Sequence, residues 1–424
     1  MFETLRNAWK VVDLRKKILF TLLIILVFRI GSFVPVPFVN VAALQNSNTT
    51  NEFFNYLSIM TGGGLSYGAI FAMSVTPYIN SSIILQLLCV AIPALERLSK
   101  EGEEGQKKLA QITRYITVVL GLFQGFAYFL YLNNNHYLNV TTTGKKVFAG
   151  FVITLCLTAG SALVMWLGEQ IDVKGIGNGI SVLLFAGIIS RGPQAYYSMK
   201  ANYWDTGRYG VFFAILAAFL LVIAFIVWMT DAERRIPVQY AKKVVGRKMY
   251  GGQSTHIPIK VNMSGVMPII FASSILMLPT MILGFMSDAN SFSYKFLSMF
   301  STQGVFYALL YFVLIIAFAY FYTTIQYNPV EIANNLRQNS GAIPGIRPGK
   351  PTSDFIQHIL SRVTLLGALC LSVVAVLPIL VSSIANINVS LGGTSVLILV
   401  GVALDTVKNL ESQMMMRHYK GFLE

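Results

Sequence analysis

The residues able to do chemistry are few and far apart. Cys89, Cys156 and Cys370 each stand alone inside an apolar block, and His136, His256, His358 and His418 are scattered along the chain. There is no CxxC pair and no Cys/His cluster, so neither a metal centre nor a disulfide framework is expected. Ser, His and Asp form no arrangement that suggests an activated nucleophile. The string Gly175-Ile176-Gly177-Asn178-Gly179 looks superficially like a phosphate loop, but no strand precedes it and no Lys-Ser/Thr follows. A loop entering a membrane helix is the better reading. More than two residues in from the block edges, the charges are Arg29 near an outer end and Asp405 near an inner end. A proton-coupled transporter or an aspartyl intramembrane protease would need a carboxylate near the middle of a span, and no block has one.

The elements that must position these residues are set by composition. The chain has 424 residues, 55% hydrophobic and 12% charged, with a mean hydropathy of +0.62. A soluble domain carries about a quarter charged residues, so a soluble enzyme is excluded. Ten apolar blocks lie near 18–36, 69–92, 112–132, 147–167, 179–190, 211–229, 264–286, 305–325, 360–380 and 391–408. Most are long enough to cross the roughly 30 Å hydrocarbon core as a helix, and 179–190 is the short one. The predicted fold class is an all-α polytopic membrane protein. Ten spans divide into five plus five near residue 205, giving halves 1–205 and 206–424. An odd number per half lets the second half enter the membrane inverted, with a pathway at the interface. The first block is long and lacks a small-residue cleavage site, so it is expected to remain as an anchor.

The net charge of +14 would suggest nucleic acid in a soluble protein, but no nucleic-acid framework is present. With the N-terminus inside, the cytoplasmic segments hold twenty-five Lys and Arg and the outside segments six. That bias places both termini in the cytoplasm. In residues 1–17, Leu5, Ala8, Trp9 and Val12 form an apolar stripe, the pattern of a helix lying on the cytoplasmic face. The outside segment 37–68 has no base and contains Phe53, Phe54, Tyr56, Leu57, Ile59 and Met60, followed by Gly62-Gly63-Gly64. Two readings fit it: a short helix folded back into the protein, or a loop packed on the outer surface. The cytoplasmic loop 230–263 carries seven bases and alternating Val/Ile, consistent with a β-hairpin offered to an acidic or RNA-rich partner. The loop 327–358 contains Gly341–Gly349, whose prolines and glycines shape a turn with Arg347 at its tip.

These motifs together resemble the SecY/Sec61-alpha family of protein-conducting channels. The resemblance rests on Arg29-Ile30-Gly31 with Pro35-Val36-Pro37, on Pro77-Tyr78-Ile79-Asn80-Ser81-Ser82-Ile83-Ile84 and on Gly175–Ser181. It continues through Gln253-Ser254-Thr255-His256, Lys260-Val261-Asn262-Met263, Gly341–Gly349 and Gly392-Gly393-Thr394-Ser395. It implies two five-helix halves around a central pore with a waist of aliphatic side chains, matched here by Ile79, Ile83, Leu184, Ile188, Ile270 and Ile398. Apolar constrictions exclude ions by dewetting and offer no site that would hold a moving polypeptide. On pattern alone the same residues read as core packing.

The resemblance further implies a plug near 53–65 and a lateral gate between spans 2–3 and 7–8, near Gln86 and Asn262. Partner contacts are implied at Arg247, Lys248, Arg347 and Tyr419. The implied partners are SecE and SecG in the membrane, the SecA ATPase, the ribosome, polypeptides bearing signal sequences, and the lipid bilayer itself. The implied location is the bacterial cytoplasmic membrane, with no cofactor and no enzymatic activity of the chain's own. An inverted-repeat secondary transporter is the rival reading, opposed by the missing midplane carboxylates. A polytopic membrane enzyme would need clustered polar residues facing a cavity, and none is evident.

Overall fold

The computed structural model describes residues 6, 9–47, 61–140, 142–240, 243–245, 248–250, 254–285, 297, 305–385 and 393–420. The chain divides into two compact units. One comprises residues 1–208, 277–298 and 402–424, the other residues 209–276 and 299–401.

In the first unit, helix α1 (Val12–Gly31) buries Leu14, Ile24 and Phe28 and leaves Leu19, Leu22, Leu23, Leu26 and Ile30 exposed. An apolar face of that extent suits lipid rather than water. The helix ends before the expected residue 36. The Ser32 hydroxyl donates to the Phe28 carbonyl at 2.9 Å, and Pro35 could not extend the ladder. A short helix α2 (Val41–Ser47) follows. The expected block 69–92 splits in two: the turns at 61–75 are largely buried, and α3 (Thr76–Ala91) starts with Pro77 in its first turn. At Pro93 the chain bends by 105° into α4 (Pro93–Lys100). None of the α4 residues is buried, and it ends in Arg97 and Lys100, as suits a helix lying at a membrane surface.

Helices α5 (Glu103–Asn134) and α6 (Thr143–Lys174) pack closely through small residues. A Cβ on Gly121 would reach the Ser161 hydroxyl at 3.0 Å, and one on Gly125 the Thr154 carbonyl at 3.2 Å. Their four-residue spacing lets two membrane helices approach at backbone distance. Arg114 Nε donates to Glu169 Oε1 at 2.7 Å across the same pair. Helix α7 (Gly179–Ser190) has only 12 residues. Helix α8 (Gly192–Met199) and a π-helical turn (Lys200–Trp204) carry the chain onward.

The second unit begins with α9 (Tyr209–Asp231), an almost wholly apolar helix with few buried residues. Strand β1 (Glu233–Tyr240) pairs antiparallel with β4 (Ser254–Lys260) in the register Ile236↔Ile257 and Val238↔Thr255, so the hairpin expected in 230–263 is present. Between them β2 (Lys243–Val245) and β3 (Lys248–Tyr250) form a separate ribbon. Helices α10 (Met267–Phe285) and α11 (Val305–Gln326) are joined at their faces by Phe271, which stacks edge-on against Phe318 and Tyr322. Helix α12 (Pro329–Gln338), strand β5 (Gly341–Ala342), α13 (Lys350–Ala385) and α14 (Gly393–Lys420) complete the chain, with α10 divided between the units after residue 276 and α14 after residue 401.

Among the described residues, five helical stretches are long and apolar enough to cross a membrane: 103–134, 144–174, 209–231, 306–338 and 350–379. The α3–α4 pair passes the same test only when its two helices, bent by 105°, are counted together as one span. The other four expected spans fall on α1, α7, α10 and α14, which do not meet that test.

Candidate functional site

Helices α3 and α7 carry four of the six aliphatic residues expected at a waist. Ile79 and Ile83 share one face of α3, and Leu184 and Ile188 share one face of α7. Ile83, Leu184 and Ile188 are buried and Ile79 is half-buried. In the second unit, Ile270 on α10 is half-buried and Ile398 on α14 is buried. All six are apolar side chains on helices, four of them buried and two half-buried.

The short helix α7 is positioned by the glycine string before it. Gly177 takes φ +79°, and the Asn178 side chain caps the helix by accepting from the Ser181 N–H. A Cβ on Gly179 would collide with the Gly168 carbonyl of α6, so only glycine permits this approach. The Gly179 N–H donates to Asp172 Oδ1 at 2.7 Å, placing a carboxylate where a phosphate loop would hold its anion. The string is a capped turn leading into α7. Thr21 of α1 adds a bond that sequence reasoning missed, its hydroxyl accepting from the Ile176 N–H at 3.2 Å.

Of the candidate plug, Phe53, Phe54, Tyr56, Leu57, Ile59 and Met60 lie outside the described residues. Its glycine end is described. Thr61 through Leu65 are buried, with φ of +65° at Gly62 and +92° at Gly63. Gly62 rests on α7, where an added Cβ would meet the Gly187 carbonyl at 2.9 Å and the Ser190 hydroxyl at 3.0 Å. The Tyr128 hydroxyl donates to the Leu65 carbonyl at 3.1 Å. Arg29 Nη1 donates to the Gly62 carbonyl at 2.8 Å, and its guanidinium carbon lies 4.5 Å from the centre of the Phe33 ring. Arg29 therefore turns toward this glycine end, a role that charge patterning alone does not reveal. The available signal is an arginine inside an apolar block.

The candidate gate amides are both half-buried, Gln86 on α3 and Asn262 between β4 and α10. The Asn262 side-chain oxygen has no hydrogen-bond partner among the described residues.

The two loops expected to meet partners fold into one lobe. Strand β5 pairs with β1 opposite β4, giving the order β4-β1-β5. Ile236, Val238 and Ile259 of the sheet pack with Leu336 of α12, Ile343, and Ile356 and Leu360 of α13. The turn after β5 is anchored by Ile343, with Ile346 N–H donating to the Ile343 carbonyl at 3.1 Å and Gly345 at φ +82°. Arg347 is exposed at its tip, while its carbonyl accepts from the Thr352 hydroxyl at 2.8 Å. Lys248 lies in β3 and Tyr419 in the last turn of α14, their side chains outside the described residues; Arg247 lies outside them altogether.

The SecY family model matches residues 69–407. The protein translocase subunit SecY of Streptomyces galbus is 42% identical over 437 residues, covering 100% of both chains. That of Halalkalibacterium halodurans is 44% identical over 435 residues, again covering 100% of both. Among solved structures, one of a protein conducting channel superposes with a TM-score of 0.65 at 15% identity, covering 94% of this chain and 92% of the other. Sec61 in the canine ribosome-channel complex gives 0.60 at 14%, covering 94% and 92%. With buried aliphatic faces on its helices, a glycine end seated on α7 and full-length similarity to translocase subunits, the chain belongs to the SecY family.

Proposed function

We propose that the chain is the channel subunit of a protein translocase, conducting unfolded polypeptides across the membrane and releasing apolar segments sideways into lipid. The observation that carries this reading is the 42% and 44% identity to translocase subunits over the full length. In this reading ten spans form two inverted halves, 1–205 and 206–424, around the pore. Ile79, Ile83, Leu184, Ile188, Ile270 and Ile398 form its constriction. Their burial and lack of polar groups suit a gasket that sheds water when shut and gives a moving chain nothing to bind. Residues 53–65 act as the plug, and the positive φ angles at Gly62 and Gly63 suit a hinge. Gln86 and Asn262 lie at the lateral gate.

The sheet lobe is the docking surface, with Arg347, Arg247 and Lys248 meeting the SecA ATPase or the ribosome and Tyr419 adding a contact. An arginine held out by a rigid turn can engage carboxylates or RNA phosphates without base-specific chemistry. SecE and SecG accompany the chain in the cytoplasmic membrane of a bacterium, with both termini inside. The chain performs no bond chemistry and takes no cofactor; its partners supply the energy. The transporter reading is not favoured by translocase relatives of full length.

The deciding experiment places a photocrosslinker at Ile79 and stalls a secretory precursor midway in vesicles containing SecE and SecA. Crosslinking that requires SecA and ATP is the expected result. Verified import without any crosslink would move Ile79 off the polypeptide path. Failure of import in an otherwise competent system would return the transporter reading.

A further inference from the structure

The first unit holds a charged side chain in an unusual place. Arg29 lies in the last turn of α1, inside an apolar block, where a guanidinium is costly unless its donors are used. It does not simply reach outward to water. Nη1 donates to the Gly62 carbonyl at 2.8 Å, and the guanidinium stacks over Phe33 at 4.5 Å. The Phe33 ring is itself braced edge-on by Tyr67, 5.3 Å away on the chain segment just beyond the glycines. The carbonyl that Arg29 grips belongs to a residue with φ +65° that has no room for a side chain against Gly187 and Ser190 of α7. The grip is thus a charge-assisted bond from a cation to a backbone carbonyl.

We propose that Arg29 is a latch: it holds the glycine base of the plug on α7 and so sets how readily the channel opens. This rests on the plug reading of residues 53–65 and adds a residue outside that segment. Because the bond is to a backbone carbonyl, plug side chains can vary without disturbing it. Because Gly62 is the hinge, releasing it frees the plug ahead of any movement of the aliphatic constriction. Arg29 touches no translocating chain in this scheme. It is a positioning residue, acting through Gly62.

The test measures ion leak through resting channels in vesicles holding the full chain with its membrane partners. Arg29→Gln is expected to raise the leak about tenfold, equivalent to about 1.4 kcal/mol, whereas Arg29→Lys, which keeps charge and donor, raises it about two- to threefold. Gly62→Ala attacks the same contact from the other side, so its effect combined with Arg29→Gln is smaller than the product of the two. Deleting residues 53–60 raises the leak by itself, and Arg29→Gln adds nothing in that background.

A leak at the wild-type level in Arg29→Gln, with a raised leak in the deletion, overturns the latch and leaves the plug intact. An unchanged leak in the deletion overturns the plug and the latch together. An equal effect of Arg29→Gln with and without residues 53–60 shows a merely structural role and overturns the latch. If Arg29→Gln does not assemble, Gly62→Ala decides alone, and a wild-type leak there overturns the proposal.

Discussion

Replacing Ile188 with asparagine puts the proposed constriction under direct strain. Ile188 is 1% exposed on α7, and full burial of such a side chain is worth about 1.5–3 kcal/mol. An unpaired amide in its place costs about 1–3 kcal/mol more. Both costs fall on the shut state, because a water-filled pore hydrates the asparagine. If half of a summed cost of about 4 kcal/mol is relieved on opening, the open-to-shut ratio rises about 30-fold. The assay pairs resting ion leak with export of a precursor carrying a defective signal sequence, and a thermal melt confirms assembly. Both readouts should rise. Ile188→Val costs about 0.5–1.5 kcal/mol of packing but keeps the surface apolar, so both should stay near wild type. An assembled Ile188→Asn channel with wild-type leak and wild-type signal stringency would remove Ile188 from the constriction.

Three further outcomes follow from particular contacts. Arg347→Glu should abolish SecA-driven export while the melting temperature stays unchanged, because the side chain is exposed at a turn that Ile343 anchors; export and melting are measured on the same preparation. Gly179→Ala should sharply reduce the yield of assembled channel, seen by size-exclusion chromatography, because its Cβ collides with the rigid Gly168 carbonyl rather than with a flexible side chain. Asn262→Leu should raise the melting temperature by a few degrees and slow export of weak signal sequences, since it removes a buried oxygen with no partner among the described residues. A lower melting temperature would show that Asn262 satisfies a need this reasoning omits.

The parts of the fold legible in the sequence are those governed by local pattern. Long apolar runs announce α5, α6, α9, α11 and α13, because twenty such residues in lipid have no other way to satisfy their backbone groups. The hairpin shows in the alternation of Ile236 with Val238 and of Ile257 with Ile259. What escapes is non-local. Strand β5 is two residues long, Gly341–Ala342, and carries no periodic signal; its pairing is determined by Gln239 and Tyr240 about a hundred positions earlier in the chain. The joining of both loops into one core follows from that pairing. Gly121 and Gly125 have a readable spacing, but the partners Thr154, Thr158 and Ser161 are identified only in three dimensions. Arg29 is the same case at the functional end: its type marks it as costly, while its acceptor is a backbone carbonyl that no side-chain pattern encodes.

The sheet lobe is also a mechanical junction. Helix α9 runs into β1 with one residue between them, β4 leads through Asn262 to α10, α11 reaches α12 after two residues, and β5 passes through the Arg347 turn into α13. Helix α13 packs Ile356 and Leu360 into this small hydrophobic core, and α9, α10 and α11 join its strands and α12 through short connections. A partner that bound the exposed Arg347 turn would therefore meet this shared core, not a slack loop.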